Sequence, residues 1–369
     1  MIRAGLFVAL VSAAPVAAEP VLRIAVIDTE GGAATLFVTP EGKSLLIDTG
    51  WPAGFGEMPS PDGSAESADR IVAQARKMGL SKIDYVIVTH YHDDHSGGTA
   101  ALAQKFPIGA FIDHGRNGDA LKPDTPPEKV INTPGGQYPR YLDAVKGHTR
   151  IVAHAGDVIR IGSLTDTIVA SNAQVIDKPL PGAGQANPNC DVPASPTPVN
   201  ENDRSVASLL RFGKVTIASF GDLSWNREHD LACPIDRVGK VNLLLVTQHG
   251  SAHVSSNPAE VAAMRPDVAI MANGGKKGGD PEAIATVLAQ KSVQGFWRLH
   301  ENFQHPELSG DKQYIANLNP PQAAIDAVAA KPYEAPPDMG YAIAVSVTKA
   351  GTITVTNTRN AFSKTYQAR

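Results

Sequence analysis

Within Thr89-His90-Tyr91-His92-Asp93-Asp94-His95-Ser96-Gly97-Gly98, three imidazoles and two carboxylates stand inside six residues. The run directly before it, Ile83-Asp84-Tyr85-Val86-Ile87-Val88, is short, apolar and β-branched, as a central strand covered on both faces would be. His90 and His92 lie two apart, so in an extended segment their side chains leave on one face. Asp94 and His95 stand where a helix would begin, ahead of Gly97-Gly98 and an alanine-rich stretch. Four nitrogen and oxygen donors thus converge at the carboxyl end of one strand, where open α/β sheets place their sites. Such donors suit a divalent ion, zinc first, with manganese or iron as alternatives. A lone His or Asp at a strand end is usually a turn residue; His-x-His-x-Asp-His is a spacing that turn chemistry alone does not explain.

The elements that must position this cluster can be read outward from it. Met1-Ile2-Arg3, the apolar Leu6 to Val11 and the small residues Val16-Ala17-Ala18 have the pattern of a signal peptide over residues 1–18, which predicts a periplasmic or secreted protein. No later window is long and apolar enough to span a bilayer. Residues 19–369 read as a single domain. Leu22–Ile27, Thr35–Val38 and Ser44–Ile47 are predicted strands, and Ala68, Ile71, Val72, Ala75 and Met78 mark a helix that stops at Gly79. A helix over Ser96–Lys105 and a strand over Ile108–Ile112 follow. The second half repeats the recipe, with strands at Ile151–Ala153, Val158–Ile161, Thr167–Ala170, Val206–Phe212, Val215–Ser219, Val241–Thr247, Val268–Met271 and Gly295–Leu299, a helix near Trp225 and another at Pro281–Leu288. Two alternating strands, Tyr341–Val347 and Thr352–Asn357, close the chain. The expected class is α+β, an αββα four-layer sandwich, with insertions at about 173–205 and 301–338.

Later strand ends should complete the cluster. Asp222 and His249 each follow an apolar strand and adjoin a glycine, so each can reach the same cleft. Alone, Asp222 would be read as a helix cap before Leu223-Ser224-Trp225; beside the His cluster a ligand role is the better reading. The formal net charge of −4 gives no general attraction to nucleic acid, so a small phosphodiester is a more comfortable substrate than a long one.

Asp48-Thr49-Gly50, the His90–His95 cluster, Phe220-Gly221-Asp222 and Gln248-His249-Gly250-Ser251 occur in the order found in the metallo-β-lactamase superfamily, which the chain resembles. Gly156-Asp157-Val158-Ile159, Asn202-Asp203-Arg204-Ser205-Val206 and His249-Gly250-Ser251 are similar to the ComEC-like group within it. The resemblance covers roughly Val21 to Leu299 and implies a metal-dependent hydrolase with one or two ions. By position, His90 and His92 would hold one ion, Asp94, His95 and His249 the other, and Asp222 would bridge them. Asp48 would sit behind them, accepting a ring N–H and fixing its tautomer. The further histidine usual between the cluster and the bridging Asp is not evident; Asn202-Asp203 stand there, with His154 and His114 as candidate replacements.

The implied chemistry is attack by a metal-activated water, with Asp94 orienting it and no Ser or Cys nucleophile. Candidates for the acid that protonates the leaving group are His253 and His114. Lys276 and Lys277, in the glycine-rich Asn273–Pro281 loop, are candidate anion contacts, and His300 a candidate on the cleft rim. Cys190 and Cys233 flank the Asp222 region; bonded, they would pin the long Asp177–Asp203 segment over the site. Phosphodiester hydrolysis is the leading expectation. Ester, lactone or amide hydrolysis, β-lactams included, is the second, and a metal-containing binding protein without turnover the third.

Overall fold

The computed structural model describes residues 19–52, 66–328 and 339–369, apart from the side chains of Glu128 and Val328; the proposed leader lies outside them. In chain order the first sheet receives β1 (Val21–Val26), β2 (Thr35–Val38), β3 (Ser44–Ile47), β4 (Ile83–Ile87), β5 (Ile108–Asp113) and β6 (Thr149–Val152). The second receives β7 (Val158–Ile161), β8 (Leu164–Ser171), β9 (Gln174–Val175), β10 (Ala207–Phe212), β11 (Val215–Ser219), β12 (Leu243–Leu245), β13 (Val268–Met271), β14 (Gly295–His300) and β15 (Ile315–Asn317). The chain then returns to the first sheet with β16 (Ile343–Thr348), β17 (Thr352–Asn357) and β18 (Ser363–Gln367).

The strand order is β18-β17-β16-β1-β2-β3-β4-β5-β6 in one sheet and β15-β14-β13-β12-β11-β10-β8-β7 in the other, with β9 paired to β8. In each sheet one half is antiparallel and the other parallel. β3, β4, β5 and β6 run parallel, as do β11 through β15. Parallel neighbours carry all their carboxyl ends to one edge, so the loops after β4, β11 and β12 are delivered to a common place.

Helices cover the outer faces. They are α1 (Ser67–Lys77), α2 (Asp93–Ser96), α3 (Thr99–Lys105), α4 (Pro134–Ala144), α5 (Trp225–Ala232), α6 (Pro258–Met264), α7 (Pro281–Leu288) and α8 (Gln322–Val328). The period-two geometry of strands sorts side chains between layers. In β3, Leu45 and Ile47 enter the core between the sheets, whereas Leu46 joins the outer core with Ile71 and Ala75 of α1 and Leu102 of α3. On the other side Ala218, Leu244 and Ala269 pack beneath Leu231, Val261 and Ile284 of α5, α6 and α7. The layers are therefore helix, sheet, sheet, helix, the αββα sandwich.

Several elements depart from the expectations. The helix expected over Ser96–Lys105 is two pieces, α2 and α3, because the chain passes against Thr49 at Gly98, where a Cβ would stand 2.0 Å from the Thr49 carbonyl oxygen. α4 carries two glycines and an internal Pro139, so its propensity argues against it; packing of Tyr141 in the outer core forms it. β15 lies inside the 301–338 insertion and is three residues long, and β18 extends the C-terminal pair to three strands. Both are made by pairing with a neighbour already in place, a signal that periodicity does not carry.

Candidate metal centre

The site begins where β3 and β4 end side by side. Asp48 takes a left-handed backbone (φ 64°) and its N–H donates to the Ile87 carbonyl at 2.8 Å, which turns its carboxylate inward. Asp48 Oδ1 accepts from the Thr89 amide at 2.8 Å, and Oδ2 lies 2.7 Å from His95 Nδ1. Thr89 Oγ1 is 2.9 Å from Asp48 Oδ2 and 3.1 Å from His90 Nδ1. The hydroxyl can therefore donate to the carboxylate while accepting the His90 ring proton. Both imidazoles are left with Nδ1 engaged and Nε2 facing inward.

The second sheet closes the site. Asp222 arrives after β11 through Gly221, where φ is 58° and a Cβ would stand 2.8 Å from Thr89, so only glycine lets this loop pass the His cluster. His249 sits in a left-handed pair with Gln248 after β12, and its Nδ1 is 2.9 Å from the Ala272 carbonyl oxygen. Gly278 lets the following loop lie against it, for a Cβ there would come within 2.2 Å of the His249 carbonyl oxygen.

Four buried side chains then converge. His95 Nε2 is 3.0 Å from Asp222 Oδ1, 3.1 Å from Asp94 Oδ2 and 3.2 Å from His249 Nε2. His249 Nε2 is 3.0 Å from Asp94 Oδ2 and 3.6 Å from Asp222 Oδ1. Asp94, His95, Asp222 and His249 all offer ligand atoms within 4.8 Å of one another. Because a carboxylate and a carbonyl claim the two Nδ1 protons, both Nε2 lone pairs face each other and two carboxylate oxygens. With both Nε2 atoms deprotonated these four atoms are acceptors that repel unless a cation, a proton on His95 or a metal ion, stands among them; His90 adds a fully buried Nε2 with no partner among the described residues. These residues fit a divalent ion.

The electrostatics follow. Burial, with the imidazoles of His95 and His92 beside it, pushes His90 well below the ordinary histidine value, which keeps its ring neutral. Burial opposes a charge on His95, but the carboxylates of Asp222, Asp94 and Asp48 outweigh it and hold its pKa well above the ordinary value. Burial also opposes ionisation of Asp94 and Asp222; for Asp94 the Lys277 ammonium and His95 reverse it, and for Asp222 His95 and His249 do, so both stay ionised. Lys277 Nζ contacts Asp94 Oδ2, the oxygen that faces both histidines, and lies 5.0 Å from the centre of the Trp51 ring.

The other candidates are placed as follows. His92 is half-buried, its ring 4.8 Å from that of His90, and stands beside the four-residue set. His114 is buried with Nε2 2.8 Å from Glu201 Oε1, behind Tyr91, and His154 is exposed next to Asp157; neither approaches the converging atoms. His253 is exposed, 3.9 Å from Glu282, so a leaving-group acid is not delivered by either named candidate in this arrangement. His300 is not on the rim but 5% exposed, its Nε2 2.8 Å from Asp28 Oδ1, where Arg70 also binds. Arg70 holds Glu30 too, so the Asp28, Glu30 and His300 group already contains its cation. Lys276 is half-buried in the loop that carries Lys277. Cys190 and Cys233 form a disulfide that closes 43 residues, and Trp225 Nε1 donates to the Pro193 carbonyl at 2.9 Å along the same segment.

Sequence reading missed Thr89, whose one signal was a hydroxyl immediately before the first histidine. Glu201 was missed too. Its carboxylate accepts from the Tyr91 amide at 3.2 Å and the Gly118 amide at 2.9 Å, bracing the metal loop from behind.

With this geometry in place, the family model described as metallo-beta-lactamase superfamily matches residues 28–131, the stretch from Asp28 through the His cluster. Over that stretch the chain is similar to the superfamily. A UPF0173 metal-dependent hydrolase of Herpetosiphon aurantiacus is 36% identical over 85 residues, 22% of this chain and 29% of its own. Another, of Cupriavidus taiwanensis, is 36% identical over 81 residues, 20% of this chain and 21% of its own. The chain thus spans under a third of the length of these curated relatives. Among solved structures, a metal-dependent hydrolase of the β-lactamase superfamily is 14% identical, with a TM-score of 0.41 over 75% of this chain and 95% of that one.

Proposed function

We propose that this chain is a metal-dependent hydrolase, exported, with a phosphodiester as its substrate. The observation that carries the hydrolase reading is the convergence of Asp94, His95, Asp222 and His249 with their Nε2 lone pairs and carboxylate oxygens turned to one point. A divalent ion bound there supplies Lewis-acid polarisation of the electrophile and a water of lowered pKa. The chain's own residues do the rest. Asp48 and the Ala272 carbonyl hold the His95 and His249 rings in the tautomer that leaves Nε2 open. Asp94 and Asp222 bring two negative charges, and the Asp94 carboxylate is positioned to orient a water at the cluster. Lys277 brings a cation to the same face for charge that develops on the substrate. Phosphodiester hydrolysis then adds water oxygen to phosphorus, breaks one P–O ester bond and sends a proton to the departing oxygen.

The phosphodiester choice is supported by the ComEC-like motifs Asn202–Val206 and His249–Ser251, and by a cation at the ligand cluster. Export is supported by the leader pattern and by the Cys190–Cys233 disulfide, a bond that persists in oxidising compartments. The test is the initial rate of bis(p-nitrophenyl) phosphate hydrolysis by protein loaded with zinc or with manganese, beside Asp222→Ala. Metal-dependent turnover lost in the variant supports the reading. Absence of turnover with metal demonstrably bound sinks the phosphodiester and moves the assignment to ester, lactone or amide substrates.

A further inference from the structure

A second feature lies on the β5 side of the metal loop. An open cavity of about 630 Å³ is lined by Arg116 and Asn117 after β5, Gly135 and Tyr138 of α4, Asn172 after β8 and Arg204 before β10. No carboxylate is among its lining residues that the structure describes. Arg116 is exposed and, among the described residues, makes no ion pair. Among the described residues the Arg204 side chain bonds only the Asn172 carboxamide, and its Nε is buried without a partner. This differs from Arg70 and Arg150, each of which is held by a carboxylate in its own environment. Gly135 belongs to the first turn of the eleven-residue α4 and sets the positive end of the helix dipole on the same wall; Pro134 has no N–H to offer and the Gly136 N–H is taken by Thr133 Oγ1 at 3.1 Å. Two arginine guanidiniums, the Asn172 carboxamide and a helix start, with no acid among the described lining residues, are groups that recognise an anion, while the Asn117 carboxamide is engaged by the Asp119 backbone.

The cavity is wired to the metal loop. Glu201 Oε1 accepts from Tyr91, between the two ligand-candidate histidines His90 and His92, while Oε2 accepts from Gly118 in the cavity wall. Two residues after Arg204, the Val206 amide donates to the Thr89 carbonyl at 2.9 Å. One frame therefore fixes the cavity relative to the reacting centre.

We infer that this cavity is a subsite for an anionic group, a phosphate or a carboxylate, carried by the substrate at the end remote from the bond that is broken. The inference rests on the hydrolase reading for its catalytic consequence but not for binding itself. Two probes with the same scissile bond test it, thymidine 5′-(p-nitrophenyl phosphate) with and without a 3′-phosphate. The 3′-phosphate is expected to lower KM about tenfold or more, the value of one good charge-assisted contact. Arg116→Glu should abolish that difference and leave kcat and KM for the unphosphorylated probe unchanged. Equal KM values in the parent protein, or a difference that survives in Arg116→Glu, would overturn it.

A calorimetric titration of inorganic phosphate into metal-free protein separates the two readings. Binding that is lost in Arg116→Glu and retained in Asp222→Asn supports the subsite even where neither probe turns over, and that absence then counts against the hydrolase alone. Phosphate binding that is absent, or indifferent to Arg116→Glu, removes the subsite whatever the turnover.

Discussion

Asp48 Oδ2 lies 2.7 Å from His95 Nδ1, and through the Thr89 hydroxyl the same carboxylate reaches His90. One buried acid thus sets the tautomers of two imidazoles that arrive from the next strand. Asp48→Asn keeps the shape but presents a group that can donate where His95 must donate. Metal affinity is expected to fall by roughly 10- to 100-fold, measured by titration of the metal-free protein with zinc. Unchanged affinity would show that the ring is oriented by something else.

Lys277 acts in the opposite sense. Its ammonium occupies Asp94 Oδ2, the oxygen aimed at both histidines, so an entering ion must share or displace it. In Lys277→Met the competing cation is gone, and zinc affinity is expected to rise by about three- to tenfold, the scale of one charge-assisted hydrogen bond. A drop in affinity by the same titration would mean that Lys277 holds the loop rather than competes for the ligand.

Asp166 gives a prediction away from the site. It points with Leu164 and Ile168 into the core between the sheets, where Ser208 Oγ at 2.9 Å is the partner of its Oδ2 and Oδ1 has none among the described residues. Burial outweighs that hydrogen bond and raises its pKa to about 7. The folded state then keeps a proton that the unfolded chain releases near its ordinary value, so stability falls as pH rises from about 4 to about 7, by at most about 1.4 kcal/mol per unit. Asp166→Asn removes this slope. Its melting temperature should exceed the parent's at pH 8 and lose that advantage at pH 4; a difference independent of pH would contradict the assignment.

The Cys190–Cys233 bond ties the irregular segment before β10 to the end of α5. Closing a loop of 43 residues corresponds to roughly 3–5 kcal/mol of stability in the chain-entropy account. Cys190→Ser with Cys233→Ser should lower the denaturant midpoint accordingly. The metal stoichiometry of the folded variant should be unchanged, since neither cysteine adjoins a ligand. Loss of metal along with stability would show that this segment shapes the ligand set as well.

Much of this protein was legible in its sequence because the signals were local. The Ile83–Val88 run and the His cluster that follows it fall on one strand and one turn, and period-two and period-three-to-four patterning marked most of the strands and α1. Asp48, Asp222 and His249 were legible as strand-end residues of the right chemical type. Tertiary structure decided what depends on meeting across the sandwich. His114, His253 and His300 look alike in sequence, yet His114 and His300 are buried against carboxylates from distant segments, Glu201 and Asp28, while His253 stays exposed. α4 forms despite its composition because an outer face needed covering, and β15 and β18 exist because an edge was there to pair with. Lys277 reads as a flexible-loop cation until the fold sets it on Asp94, 183 residues earlier in the chain. A residue's type is written locally, but the partner that fixes its charge, tautomer and direction is chosen by packing, and pairs so far apart in sequence leave no periodic trace.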